Sequence, residues 1–152
     1  MGKLRKIALF IDSQLVVEND IARKFVFLRD QAFLKLQFFA GDRASDLSRC
    51  LTQEVRRLQN NTGFLITHTV RKKLVNGKTN EFRILGLEDH SICPVFALEK
   101  YVAGAKEMGV DLSVGYLFRI LDQKKKQVLE SPVNYSVMYG RLKHYLKKLD
   151  ID

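Results

Sequence analysis

The stretch Phe38-Phe39-Ala40-Gly41-Asp42-Arg43-Ala44-Ser45-Asp46-Leu47-Ser48-Arg49 joins an apolar segment to a polar one through a single glycine. The pattern predicts a helix that ends at Gly41, a turn, and a second helix that begins at Arg43. The first backbone N–H groups of a helix have no partner within it, and the helix dipole adds positive potential there. An arginine at this point is suited to bind a phosphate, although the local pattern alone favours an ordinary helix junction with a solvated arginine.

Hydrophobic spacing predicts the helices on either side of this turn. Upstream, apolar residues recur at helical intervals from Ile21 to Phe39, and Asp20 is suited to cap the first turn. Downstream, a second helix is predicted from Arg43 to Leu58 by the inward series Leu47, Leu51, Val55 and Leu58. Residues 1–20 form a lead-in that is either a short helix or an extended segment.

A small antiparallel sheet is predicted next. Residues 64–70 are rich in β-branched side chains, and Asn76-Gly77 is a strong signal for a two-residue hairpin turn. Residues 78–85 then form the returning strand. The sequence therefore predicts a hairpin inserted among helices.

Two further helices follow the hairpin. Pro94 suits the first turn of a helix whose apolar stripe stops at Gly109. Residues 110–131 are expected to be irregular, with a short extended piece at 116–118. Ser131-Pro132 is predicted to open the last helix as its cap and first residue.

The charge of the chain restricts its partners. The 152 residues carry a net charge of +9 with a pI near 9.7, which is typical of a single domain that binds a polyanion such as nucleic acid. No apolar run approaches the ~20 residues that span a bilayer. Cys50 and Cys93 lack metal-binding spacing and are expected to be free, buried thiols, so neither a metal nor a cofactor is predicted.

The segment from Gly41 to Leu47, after its apolar run, resembles the first active-site box of the tyrosine recombinase (phage integrase) family. Three later segments resemble the crypton-type eukaryotic branch of that family, which contains recombinases of mobile elements and their domesticated relatives. They are Ile92-Cys93-Pro94-Val95-Phe96-Ala97-Leu98, Gly115-Tyr116-Leu117-Phe118-Arg119 and Arg141-Leu142-Lys143-His144-Tyr145-Leu146. The resemblance divides the chain into a lead-in, 1–20, and a partial catalytic domain, 21–152. It implies a mostly helical α+β fold, with helices like those of the DNA breaking-rejoining catalytic domain around a small antiparallel sheet or hairpin.

The resemblance also implies a chemistry. In that family two arginines, a histidine and a hairpin lysine surround a DNA phosphate without a metal, and a tyrosine attacks it to form a phosphotyrosyl bond. Arg43 matches the first arginine. Lys72 matches the hairpin lysine best, counted back from the turn, and Lys78 is the alternative. For any one of these lysines, a solvated position that protects a sheet edge is an equal interpretation.

The second box of the family, His-x-x-Arg, and the nucleophilic tyrosine have no counterpart before Asp152. The segment from His68 to Arg71 matches the His-x-x-Arg pattern of that box, but it falls on a predicted strand, so we interpret the match as a coincidence. The five tyrosines precede the position of the nucleophile, so packing is their expected role, and His90 and His144 are expected on the surface. We therefore expect a chain that is incomplete at its C-terminal side and catalytically incompetent alone, as either a fragment or a truncated, domesticated copy.

We therefore expect the chain to be the DNA-binding portion of a site-specific recombinase or integrase-like domain from a mobile element. The complete domain would act in DNA recombination and integration, in the nucleus. The residues expected to contact DNA are Arg49, Arg71, Lys73, Lys78, Arg141 and Lys143. The expected partner is the phosphate backbone of double-stranded DNA, with a homo-oligomer on DNA left open and no membrane or small-molecule substrate. The alternatives are a domesticated, non-enzymatic DNA-binding domain and a helical protein-interaction domain whose basicity is incidental.

Overall fold

The computed structural model describes residues 2–41, 44–68 and 80–151. The helices are α1 (Gly2–Val17), α2 (Ile21–Ala40), α3 (Ala44–Ser48), α4 (Pro94–Glu107) and α5 (Tyr135–Lys148). The strands are β1 (Val55–Arg57), β2 (Gly63–His68), β3 (Asn80–Leu85), β4 (Arg119–Leu121) and β5 (Val128–Pro132). Strands β1, β2 and β3 form one antiparallel sheet in that order, and β4 pairs with β5 in a second. The predicted α+β class, mostly helical with a small antiparallel sheet, is confirmed.

Helix α2 lies at the centre of the fold and begins and ends where the sequence predicts. The side chain of Asp20 accepts a hydrogen bond from the N–H of Ala22, and Gly41 ends the helix with a φ of 64°, which glycine adopts without strain. Phe25 and Phe33 are fully buried, and the helix packs against α1, α3, α4 and β3. The central position of α2 explains why its apolar face is so wide.

The lead-in, which the sequence left open between helix and extended chain, is the helix α1. Leu4, Ile7 and Ile11 are buried at helical spacing against α2. Their burial shows that this segment belongs to the core rather than preceding it.

The predicted second helix is wrong beyond its first turns, because α3 ends at Ser48 and not at Leu58. After α3 the backbone pairs with a distant segment, since the N–H of Leu117 donates to the carbonyl of Cys50 over 3.0 Å. The chain then forms β1 beside β2. Tertiary pairing here overrides a helical spacing of apolar residues.

The predicted hairpin strands are confirmed as antiparallel neighbours. Strands β2 and β3 pair from Gly63 opposite Leu85 to His68 opposite Asn80. Phe64 and Ile84 point into the core and are buried. The predicted turn at 76–77 lies outside the described residues.

The final helix begins later than predicted. Pro132 ends β5 and pairs with Arg119 of β4, which suits a residue that cannot donate a ladder hydrogen bond. Asn134 is the actual cap of α5, and its side chain accepts a hydrogen bond from the N–H of Val137 over 2.9 Å. The expectation of an irregular 110–131 segment was also wrong, because it contains β4 and most of β5.

Helix α4 and the two buried cysteines also match the sequence predictions. Helix α4 begins at Pro94, and Gly109 follows its end with a φ of 77°. Cys50 and Cys93 are buried thiols, as predicted. In the part of the chain that the structure describes, no helix combines the length and apolar character needed to cross a bilayer.

Substitution of Gly63 by alanine is expected to lower the free energy of unfolding by about 1–3 kcal/mol. A Cβ atom on Gly63 would lie 2.0 Å from the carbonyl oxygen of Ile84 in the paired strand β3, so the two strands would have to separate. Gly86→Ala is the matched control, because its Cβ would meet its nearest neighbour, the carbonyl of Thr62, at an ordinary 3.6 Å. Urea unfolding of both variants tests the packing of the sheet, and equal stabilities would contradict it.

Candidate nucleic-acid interface

Helix α5 presents a basic face to solvent. Its sequence contains Arg141, Lys143, Lys147 and Lys148 and has neither aspartate nor glutamate. The three lysines are exposed, whereas the opposite side of the helix buries Met138. The exposed side of α5 is therefore a concentrated source of positive charge.

Two tyrosines lie on the outer side of α5, where packing had been expected. Tyr135 and Tyr139 are 52% and 50% exposed, and their rings stack with centroids 5.8 Å apart and an interplanar angle of 9°. The ammonium of Lys143 lies 5.3 Å from the ring centre of Tyr139. The packing prediction is wrong for these two residues, whereas it is confirmed for Tyr101 and Tyr145, which are fully buried.

Arg141 differs from the lysines of α5 because it points toward α2. Its Nε donates to Oδ2 of Asp30 over 2.7 Å, and its Nη2 donates to the hydroxyl of Tyr145 over 3.0 Å. The Tyr145 hydroxyl donates in turn to the same carboxylate oxygen. The Arg141 side chain is 29% exposed, so its guanidinium, predicted to contact DNA, is mainly engaged in fixing α5 to α2.

A second arginine completes this buried group, which we call the Asp30 cluster: Arg29, Asp30, Arg141 and Tyr145. Arg29 donates through Nε and Nη2 to Oδ1 of Asp30, the latter over 2.9 Å, and through Nη1 to the carbonyl of Arg119 over 3.2 Å. Asp30 has no exposed surface, and Arg29 is 2% exposed. Burial and the Asp30 carboxylate raise the pKa of Tyr145, so its hydroxyl keeps its proton and acts as a donor.

The Asp30 cluster was missed by the sequence reasoning, although the sequence contains a signal for it. Helix α2 is apolar around most of its circumference, which predicts burial on all sides. Charged residues such as Arg29 and Asp30 within such a helix must be paired, because an isolated buried charge is costly. The partner Arg141 lies 111 positions away and could not be predicted.

His144 reports the electrostatic environment of α5. It is exposed, as predicted, and its ring contacts that of Tyr145. Partial burial, together with the cations Arg141 and Lys148, lowers the pKa of His144. The two cations that contribute to this lowering lie on the same helix as His144.

Arg49 follows α3 and is exposed, with its Nη2 3.9 Å from a carboxylate oxygen of Asp46. Because α3 contacts α5, Arg49 directly follows an element that packs beside the basic helix. This arrangement places two of the predicted DNA contacts, Arg49 and Lys143, on neighbouring elements.

The remaining predicted site residues lie outside the described residues. They are Arg43, Arg71, Lys72, Lys73 and Lys78. The described residues that flank the segment 69–79 nonetheless show where that segment is connected to the sheet. Strands β2 and β3 pair as far as His68 and Asn80, so the described residues on either side of 69–79 lie at the same end of these two strands.

Comparison with known proteins assigns neither a family nor a function to this chain. Neither a search against protein-family models nor a search of curated proteins found a match to this chain.

Proposed function

We propose that this chain is the DNA-binding portion of a tyrosine-recombinase-like domain and that it holds double-stranded DNA through the phosphate backbone. The observation that carries the proposal is helix α5, which exposes Lys143, Lys147 and Lys148 and contains no carboxylate. A helix with three exposed ammonium groups on a chain of net charge +9 attracts a polyanion over a longer range than any single contact.

The order of elements supports the recombinase part of the proposal. The resemblance implies helices around a small antiparallel sheet with a lysine in its hairpin. The chain has a three-stranded antiparallel sheet after the first box, and the segment with Lys72 and Lys78 joins the paired strands β2 and β3. The segment that begins at Ile92 then leads into α4.

Each group has a distinct role in this proposal. The lysines of α5 neutralise phosphates and release condensed cations, which drives binding. Arg43 grips two oxygens of one phosphate with its planar guanidinium. In a complete domain, when a tyrosine attacks the phosphate and forms the phosphotyrosyl bond, Lys72, or alternatively Lys78, protonates the leaving oxygen. The Asp30 cluster acts through α5 by fixing the helix to the core, so Arg141 contributes to binding as a positioning residue.

Replacement of Lys143, Lys147 and Lys148 by glutamine is expected to weaken duplex binding and to make it less sensitive to salt. Each phosphate contact removed should reduce the slope of log K against log salt concentration by about 0.9. Fluorescence anisotropy of a labelled duplex across a salt series measures this slope. The control replaces Lys124, Lys125 and Lys126, exposed residues of the β4–β5 connection, by glutamine and so removes the same charge elsewhere.

The comparison between these two triple variants decides whether α5 is the interface. A loss confined to the α5 variant supports the proposal. Equal losses in both variants would show that total charge, and not this helix, determines binding. No binding of the unaltered chain at low salt would remove the DNA proposal and leave the protein-interaction alternative.

Arg43→Ala is expected to weaken duplex binding by about 10- to 100-fold, because a charge-assisted hydrogen bond contributes about 1.5–3 kcal/mol. Arg43→Lys is the matched control, since it keeps the charge but cannot grip two oxygens. The ordering expected for affinity is arginine, then lysine, then alanine, measured at one salt concentration. Unchanged affinity in both variants would refute the assignment of Arg43 to a phosphate.

A further inference from the structure

The outer side of α5 carries a tyrosine–lysine column, formed by Tyr135, Tyr139 and Lys143. The three residues are spaced four apart, so they lie above one another along the helix. Both rings are about half exposed, although a tyrosine ring is large and mostly apolar. Two adjacent, parallel aromatic rings in water form a flat surface that another planar group can extend.

The outer face of Tyr135 is the part of the column suited to a ligand. Tyr139 contacts Tyr135 with its rings at 9° and also contacts the Lys143 ammonium at 5.3 Å. Tyr135 stands at the end of this stack, in the first turn of α5, and is 52% exposed. A planar ligand placed on Tyr135 would therefore continue the existing stack.

The charge of the helix indicates what the planar ligand is. Helix α5 has four cations and no carboxylate, so it favours an anion. An unpaired nucleotide combines a planar base with a phosphate, and aromatic side chains stack on bases without regard to sequence. The bases of an intact duplex already stack on each other, so only an unpaired base can offer its face to Tyr135.

We propose that the tyrosine–lysine column is a binding site for unpaired nucleotides of DNA, in which a base stacks on Tyr135 and the strand follows the column, so that Lys143, about 12 Å along the helix, contacts a phosphate farther along the same strand. The site rests on the proposed DNA-binding function, because the same helix brings DNA to this surface. It adds a second mode of contact to the phosphate contacts with the duplex.

The test compares a short oligothymidylate with an abasic phosphodiester of the same length. Fluorescence anisotropy of labelled oligomers measures the affinity of every variant, and in the unaltered chain, whose Tyr101 and Tyr145 are buried, quenching of tyrosine fluorescence adds a direct sign of stacking on the exposed rings. The unaltered chain should bind the oligothymidylate more tightly than the abasic oligomer. The double variant Tyr135→Leu, Tyr139→Leu should lose about fivefold or more of the oligothymidylate affinity and keep its affinity for the abasic oligomer.

Two further variants separate stacking from folding and from charge. Tyr135→Phe with Tyr139→Phe keeps both ring faces and should bind the oligothymidylate within about twofold of the unaltered chain, since base stacking uses the ring and not the hydroxyl. Lys143→Gln should reduce the salt slope for the single strand by about 0.7. Duplex affinity of the leucine variant should be unchanged, which also shows that this variant is folded.

Equal binding of the two oligomers by the unaltered chain would overturn the proposal, as would full oligothymidylate affinity in the leucine variant. If either result occurs while duplex binding persists, the stacking site fails and the proposed function stands. If the chain binds no duplex and no single strand, both fail together.

Discussion

Asp30→Asn is expected to lower the free energy of unfolding by about 3–5 kcal/mol, which is the usual cost of removing one partner from a buried ion pair. The carboxylate lies between Arg29 and Arg141 and also accepts from the Tyr145 hydroxyl. Asparagine has nearly the same shape but carries no charge, so it would leave the Arg29 guanidinium, 2% exposed, without compensation.

The matched control for Asp30 is Glu99→Gln, which removes one negative charge from the exposed side of α4. Urea unfolding should show a change within about 0.5 kcal/mol for this surface site. A similarly small effect for Asp30→Asn would contradict the role of the Asp30 cluster in fixing α5. Because α5 depends on this cluster for its position, the same variant should also bind duplex DNA more weakly at temperatures where it remains folded.

Lys35→Met is expected to raise the free energy of unfolding at pH 7 by about 1–3 kcal/mol. Lys35 is 2% exposed, and its ammonium lies 3.5 Å from the carbonyl oxygen of His90. Burial lowers its pKa from 10.5 to about 8, an effect that the nearby carboxylate of Asp12 offsets only in part. Methionine fills the space with an unbranched chain and brings no charge into the interior.

The stabilisation by Lys35→Met should depend on pH in a defined direction. Below pH 8 the lysine is protonated in both the folded and the unfolded chain, so the full cost of its burial, about 3 kcal/mol, is present. Between pH 8 and 10.5 the unfolded chain binds more protons, and the stability contributed by this site rises with pH. The advantage of the methionine variant should therefore shrink over this window.

Urea unfolding at several pH values, with Lys106→Met as control, measures this effect. Lys106 is exposed at the end of α4, so its substitution should change the free energy of unfolding by no more than about 0.5 kcal/mol. An advantage for Lys35→Met that stays constant up to pH 10.5 would contradict the burial of a charged amine.

Local sequence signals were sufficient to predict the ends of a helix where the capping residues lie within or next to that helix. Asp20 and Gly41 fix the limits of α2, and Pro94 fixes the start of α4, because capping and backbone geometry depend on the nearest few residues. The strands β2 and β3 could also be predicted, since β-branched residues and a short turn signal occur together.

Distant pairing explains the errors. The apolar spacing from Leu47 to Leu58 fits a helix, but hydrogen bonds from Leu117 to Cys50 and from Thr52 to Gly115 draw the chain into extended pairing. The start of α5 was misplaced for a similar reason, because Val133 donates to the carbonyl of Phe118 and keeps the preceding proline in a strand. Neither contact can be read from the local sequence.

Among the described residues that were predicted to contact DNA, only some are exposed, again because contacts between distant residues determine which side chains reach the surface. Composition shows that a helix such as α5 is basic, and the exposure of Lys143 is as expected. Composition does not show which basic side chain points into the protein. Arg141 does so because it pairs with the buried carboxylate of Asp30, which lies on another helix. The exposure of Tyr135 and Tyr139 was missed because an aromatic residue beside an apolar stripe is usually buried.

The most direct test of the central claim is to map the surface that duplex DNA touches, by backbone amide NMR of the labelled chain titrated with a short duplex at two salt concentrations. We predict that the largest shifts occur in α5 and at Arg49, and that they diminish together at the higher salt concentration. Shifts confined to the exposed faces of α1 and α4, with α5 unchanged, would contradict the assignment of α5 as the DNA-binding helix.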